Sequence, residues 1–246
     1  MRLKLFIMMV IELFIWGAWL PLVWSYIGPL GLNFSGTQQA WIGSAFAIAS
    51  VVGIFFSNQF ADRNFSAERF MAFSHLIGGL AMLGLFFVRD FPAFFGLMLV
   101  HSLFYVPTIS VANALAFAHL KDAQKEFGPI RMGGTIGWIL AAWPLYFILG
   151  KKTGAEAIQL YKYIFIISGV ASLGLAAFSL TLPHTPPKRV AAGGQKLAWV
   201  EAFKLLAIPY LLILFIVTFV DATIHNGYFL MAGGFLSNGV GGPGFE

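Results

Sequence analysis

LFIMMVIELFIWGAWLPLVWSYI, residues 5–27, is a run of apolar and aromatic side chains broken by a single carboxylate, Glu12. Roughly 20 mainly apolar residues suffice for a helix to cross a bilayer. The run follows Met1-Arg2-Leu3-Lys4 and resembles a secretory leader in its first residues. It is too long for a leader's apolar core, it holds Trp16, Trp19 and Trp24, and no small-residue cleavage site follows. It therefore reads as a first membrane helix.

Six further stretches meet the same length: 39–60, 70–88, 93–118, 130–149, 160–182 and 205–236. Composition agrees. The chain is 59% hydrophobic and 10% charged, with a mean hydropathy of +0.83. A soluble domain carries about 25% charged residues, and the deficit leaves too little polar surface to cover a globule. The net charge of +5 lies in short clusters between the apolar runs, a topology pattern rather than a nucleic-acid patch. There is no cysteine, so disulfides, thiol nucleophiles and thiolate metal sites are excluded. No cofactor or metal is implied.

Connections are short except at 183–204, which holds Pro186-Pro187, Lys188-Arg189 and Gly193-Gly194 and reads as a basic cytoplasmic linker. With the N-terminus inside, the inner segments carry Arg2, Lys4, Arg63, Arg69, Lys121, Lys125, Lys188, Arg189, Lys196 and Lys204. The outer ones carry Arg89, Lys151, Lys152 and Lys162. This asymmetry places the N-terminus in the cytoplasm. The expected organisation is a six-helix bundle over 1–182, the linker over 183–204, and over 205–246 the first helix of a second bundle with an outer loop. A bundle of six, a long basic linker and one more helix is how facilitator transporters begin. The tail GVGGPGFE reads as a loop stopped midway, so a truncated chain is expected.

Ionisable groups within a bilayer are functional candidates by default. Glu12, Trp16 and Trp19 share a face of the first helix. A carboxylate there costs about 2.5–3.5 kcal/mol on insertion scales unless neutralised or paired; it is either a proton carrier or a structural acid hydrogen-bonded in the bundle. The fourth helix aligns His101, Tyr105 and Thr108, with Pro107 interrupting its ladder and Asn113 beyond; here an interhelical hydrogen bond explains His101 as well as a functional role does. The fifth aligns Arg131, Thr135 and Trp138 among glycines that let a neighbour approach closely. Arg131 keeps its charge, so it meets a carboxylate, a substrate or, by snorkelling, the cytoplasm. The seventh aligns Asp221, His225 and Tyr228, with Asn226 beside them; the acid and imidazole one turn apart are suited to sharing a proton. No lysine lies between Leu205 and Leu236, which leaves a retinal-type Schiff base unsupported. Helices three and six show only His75, Ser74, Ser168, Ser172 and Ser179 without a stripe, and read as lipid-facing.

The loop Ala61-Asp62-Arg63-Asn64 with Glu68-Arg69 resembles the facilitator signature, departing from it at Asn58 where a glycine is expected. Four further motifs, in order, resemble the nucleoside:proton symporter family of the major facilitator superfamily. They are Trp16-Gly17-Ala18-Trp19-Leu20; Tyr105-Val106-Pro107-Thr108; Gly128-Pro129-Ile130-Arg131 with Gly134-Thr135-Ile136-Gly137; and Leu180-Thr181-Leu182-Pro183-His184. The resemblance implies an all-α integral membrane protein truncated from twelve helices, working by alternating access in a bacterial inner membrane. Its partners would be a nucleoside, protons and the lipid bilayer, with a monomer when full-length. It implies substrate contacts at Arg131 and Thr135, an aromatic near the base at Trp138, and sugar or base contacts at His225 and Asn226. Trp16, Tyr105 and Tyr228 complete the expected substrate set; Glu12, Asp221 and His225 the proton set; Asp62 and Arg63 the gating loop. A sugar or other small polar metabolite is the alternative solute. A membrane enzyme or sensor lacks support, because no phosphate loop, metal-spaced cluster or Ser/His/Asp set occurs.

Overall fold

The computed structural model describes residues 1–53, 65–152, 154–187 and 203–239, the last ten of these as backbone only. The chain forms helices α1 (Arg2–Ile27), α2 (Gly36–Val52), α3 (Ala67–Leu85), α4 (Phe91–Ala118), α5 (Ala123–Leu140), α6 (Ala142–Leu149), α7 (Gly154–Leu160), α8 (Tyr163–Ser179) and α9 (Pro209–Gly239). Among the described residues, five stretches are long and apolar enough to cross a membrane: α1, α4, α5 with α6, α7 with α8, and Pro209–Phe229. This is a multi-pass, all-helical membrane protein.

Local chemistry sets the helix ends. Ser35 opens α2 with a reciprocal capping box, its backbone N–H donating to Gln38 Oε1 at 2.9 Å and its hydroxyl accepting from Gln38 N at 3.3 Å. Asp90 caps α4 through Ala93 N at 3.0 Å, and Asp122 caps α5 through Lys125 N at 3.2 Å. The break between α5 and α6 has a cause in Pro144. A proline lacks the N–H that would reach the carbonyl four residues back, and its ring crowds that carbonyl; counting back from Pro144 gives Leu140, where α5 ends. At Pro107 the sequence leads one to expect an interrupted helix, yet α4 runs on through it. Just beyond it, Thr108 and Ser110 donate back to the carbonyls of Tyr105 (2.5 Å) and Pro107 (2.9 Å).

Residues 1–189 form one unit and 190–246 another. In the first, α1 packs on α5 and α8, α3 on α4 and α8, and α2 on α4. One apolar cluster gathers Val23, Tyr26, Ile27, Met82, Phe94, Met98 and Phe165; the other gathers Leu5, Met8, Met71, Leu115, Ile130 and Leu175. Between them in sequence, on each of α1, α3, α4 and α8, come fully buried polar residues: Glu12, His75, His101 and the pair Ser168 and Ser172. Helices α3 and α8 are therefore not simply lipid-facing, which corrects the sequence expectation. Glycines bring them together: a Cβ at Gly79 would stand 3.2 Å from the Gly169 carbonyl oxygen and 3.0 Å from Ser172 Cβ. The outward faces are apolar, with Phe73, Leu76 and Leu80 on α3 and Trp143, Tyr146 and Phe147 on α6 exposed. Apolar surface of that extent suits lipid rather than water.

At one end of this unit, the segment after α8 is clasped to α3 and α4. Glu68 accepts from the Thr185 backbone N–H at 3.0 Å, and His184 Nδ1 lies 2.8 Å from its other oxygen. His119 Nε2 meets Thr185 Oγ1 at 2.8 Å. Lys4 donates to the Thr181 carbonyl at 2.6 Å, and Arg2 pairs with Glu126. Glu68 stands just ahead of the third span. Burial pushes its pKa up, but hydrogen-bonding groups around it, Ser66 first and then Thr185 and His184, together outweigh burial and hold it below the ordinary carboxylate value.

Candidate functional site

The α5 stripe is positioned by what lies behind it. A Cβ at Gly133 would come 2.8 Å from the Phe6 carbonyl oxygen, and one at Gly137 would fall on the carbonyl oxygen of Val10. The backbones of α5 and α1 thus touch along Gly133 and Gly137, which turns Arg131 and Thr135 away from that contact by helical spacing, while Trp138 packs against Gly17 of α1. Arg131 is half-buried, its guanidinium lying over Gly134 beside Leu13. Among the described residues it makes no ion pair or hydrogen bond. Thr135 is exposed on the same stretch. Trp138, half-buried, meets Trp16 edge to face at 5.5 Å and 87°, and Trp16 stacks on Phe46 at 5.0 Å and 9°. Phe46 in turn lies 6.5 Å from Tyr105. Four helices so contribute one aromatic wall beside an uncompensated cation. The indole N–H of Trp16 is buried with no hydrogen-bond partner among the described residues.

Behind the wall sits a polar cluster. The Glu12 side chain is fully buried. Its Oε2 lies 2.9 Å from His75 Nε2, its Oε1 is 2.7 Å from Thr108 Oγ1, and its carbonyl accepts from the Tyr105 hydroxyl at 2.7 Å. His75 Nδ1 stands 3.3 Å from Ser172 Oγ, whose hydroxyl also reaches the His75 carbonyl at 2.9 Å. Tyr105 stacks on His101 at 5.3 Å and 14°, and His101 Nδ1 donates to the Gly78 carbonyl at 3.0 Å. The Tyr105 hydroxyl is thus committed to the α1 backbone; its ring, not its oxygen, reaches toward Phe46.

The structure brings together Glu12, Trp16 and Tyr105 with Trp138, Arg131 and Thr135 in the first unit. Phe46, His75 and Ser172 belong with them and escape a reading by helical stripe. None stands in a repeating stripe with an ionisable group, and which neighbour each meets is set by how closely the helices pack, as at the glycine contacts of α3 with α8. In the second unit, α9 carries Asp221, His225, Asn226 and Tyr228, all exposed. His225 meets Phe229 edge on at 4.8 Å, and Asn226 donates to its own helix at the Ala222 carbonyl, 2.8 Å. No hydrogen bond or ion pair joins Asp221 to His225 among the described residues. Asp62 and Arg63 lie outside the described residues.

Comparison with known proteins follows this geometry. The family described as "Nucleoside H+ symporter" matches residues 1–242. YegT of Escherichia coli strain K12, which carries a provisional nucleoside-transporter name, is 34% identical over 95% of this chain and 55% of its own length. The xanthosine permease of the same organism is 33% identical over 88% of this chain and 50% of its own. The chain thus spans about half the length of the curated relatives it matches. Among solved structures, the crystal structure of the nucleoside transporter NupG superposes with a TM-score of 0.78 at 26% identity, covering 98% of this chain and 59% of that one.

Proposed function

The chain belongs to the nucleoside H+ symporter family, with a major facilitator-type bundle, and from that premise we propose that it forms the leading part of a carrier taking nucleosides into the cell with protons. The observation that carries this reading is Arg131, a cation with no protein partner among the described residues, set on one helical stripe with Thr135 and the Trp138–Trp16–Phe46 wall. A nucleoside offers what those groups take. Its ribose hydroxyls and base carbonyls accept from a guanidinium and exchange hydrogen bonds with a threonine, while its base stacks on an aromatic face. Asn226, His225 and Tyr228 on α9 add contacts from the second bundle. Glu12, and Asp221 with His225, are the groups through which protonation would bias one access state over the other. Asp62 and Arg63 are assigned to the gating loop. The protein acts as a transporter rather than an enzyme, as a monomer in a bacterial inner membrane, N-terminus inside.

The test uses the full-length reading frame in membrane vesicles, with uptake of labelled uridine and adenosine measured with and without an imposed proton gradient. Gradient-dependent uptake that is lost in Arg131→Ala supports both substrate class and site. Removing a hydrogen bond to a charged group is worth about 1.5–3 kcal/mol, so KM should rise by roughly ten- to a hundred-fold. Uptake blocked by sugars and indifferent to nucleosides would overturn the substrate class.

A further inference from the structure

Glu12 and His75 face each other across α1 and α3 with every remaining polar atom of the pair served by a hydroxyl. Hydroxyls matter because they donate or accept by rotating. Thr108 Oγ1 lies 2.7 Å from Glu12 Oε1 and 2.5 Å from the Tyr105 carbonyl. Ser172 Oγ lies 3.3 Å from His75 Nδ1 and 2.9 Å from the His75 carbonyl. Each hydroxyl has one hydrogen and two acceptors to choose between.

Two proton inventories therefore fit the same heavy atoms. With one proton fewer, Glu12 is ionised, His75 is neutral with its hydrogen on Nε2 toward Oε2, and Ser172 turns its hydrogen onto the bare Nδ1. With one proton more, both imidazole nitrogens carry hydrogen; Nδ1 donates to Ser172 Oγ, and Ser172 turns its hydrogen to the His75 carbonyl. Moving that proton across to Glu12 is also accommodated. A neutral carboxyl donates to Thr108 Oγ1 while Thr108 donates to Tyr105. In none of these states is a buried donor or acceptor of the quartet orphaned, the condition that normally makes a charge change in a protein interior costly.

We propose that the Glu12–His75 pair, with the Thr108 and Ser172 hydroxyls as its adaptable partners, is the site that holds and releases the coupling proton in the first bundle. The proposal rests on the reading of the chain as a nucleoside:proton symporter and selects His75, which no stripe marks, as Glu12's partner. The other titratable groups facing the pair are known. From α4 come Tyr105, whose hydroxyl is bound to the Glu12 carbonyl, and His101, close enough to feel a charge on His75. From α5 comes Arg131, whose charge acts on Tyr105. From α8, among the described residues, come the hydroxyls of Ser168 and Ser172. The link to the aromatic wall runs through successive contacts: the Glu12 backbone carbonyl to Tyr105, Tyr105 to Phe46, Phe46 to Trp16, Trp16 to Trp138.

The experiment measures uridine and proton entry together, with a pH indicator trapped in vesicles carrying the full-length transporter. Uridine counterflow, which needs no proton gradient, is measured alongside. Wild-type protein without counterflow would overturn the function reading itself. Given wild-type counterflow, Glu12→Gln and His75→Gln should each let counterflow continue at a reduced rate while uridine-linked proton entry disappears and accumulation falls to unity. Undiminished proton entry per uridine in both variants overturns the proposal. Should either change abolish counterflow as well, Ser172→Ala decides, since it removes one hydroxyl and little else. A shifted pH midpoint of uptake supports the site, and a midpoint equal to wild type overturns it.

Discussion

Single side chains carry the chemistry here, and their surroundings determine what each can do. Trp138 meets Trp16 at right angles, 5.5 Å between ring centres, and stands on the same stripe as Arg131. Stacking a base on an aromatic ring is worth about 1–3 kcal/mol, so Trp138→Ala should weaken nucleoside binding by roughly five- to a hundred-fold. Trp138→Phe should recover most of that, measured as the half-saturation of uridine counterflow. Glu68 gives a pH prediction. Its pKa in the folded protein lies below the ordinary 4.5, so folding favours the ionised form. The stability it adds is present above 4.5 and is lost as pH falls through that lower value. Thermal unfolding in detergent between pH 6 and pH 3, on the order of the range the carboxylate spans, should show a smaller acid loss in Glu68→Gln than in the wild type. Equal slopes would discount the clasp. The candidates that could be read from sequence, Glu12, Tyr105, Arg131 and Trp138, are those whose helix repeats a polar or aromatic residue on one face. His75 and Phe46 could not be read that way, because each depends on which neighbour its helix meets.

At the level of helices, apolar length announces the spans and punctuation ends them. The fourth span, 93–118, coincides with α4, begun by Asp90 and Pro92. The fifth was expected as one helix over 130–149 but starts at Ala123, under the Asp122 cap, and is cut by Pro144. A hydropathy scan sees neither effect, since caps and a missing N–H act through hydrogen bonds rather than greasiness. What no scan sees at all is how near two helices come. Gly137 leaves no room between α5 and the Val10 carbonyl. Gly137→Ala should cost about 1–3 kcal/mol by forcing the helices apart and lower both folded yield and uridine affinity, because Arg131 and Trp138 ride on the same helix. Gly128→Ala, at a glycine with open space around it, is the control that should leave both unchanged.

For the molecule as a whole, charge asymmetry gives orientation while packing gives the fold. Ten basic residues on one side of the expected topology and four on the other predict that a reporter joined within the 183–204 linker works only if it functions in the cytoplasm. A fluorescent protein fused there should glow and a periplasm-dependent phosphatase should stay silent; the reverse pattern would invert the topology. The chain spans about half the length of the curated relatives it matches. Within the first bundle, the contact of Gly133 and Gly137 on Phe6 and Val10 has a mechanical meaning. Two helices touching backbone to backbone are geared: neither can slide or roll without the other's carbonyls blocking the way. Trp138 of the aromatic wall on one and the buried acid on the other are then mounted on a single lever. However the bundle tilts, the distance from the aromatic wall to the buried acid stays fixed.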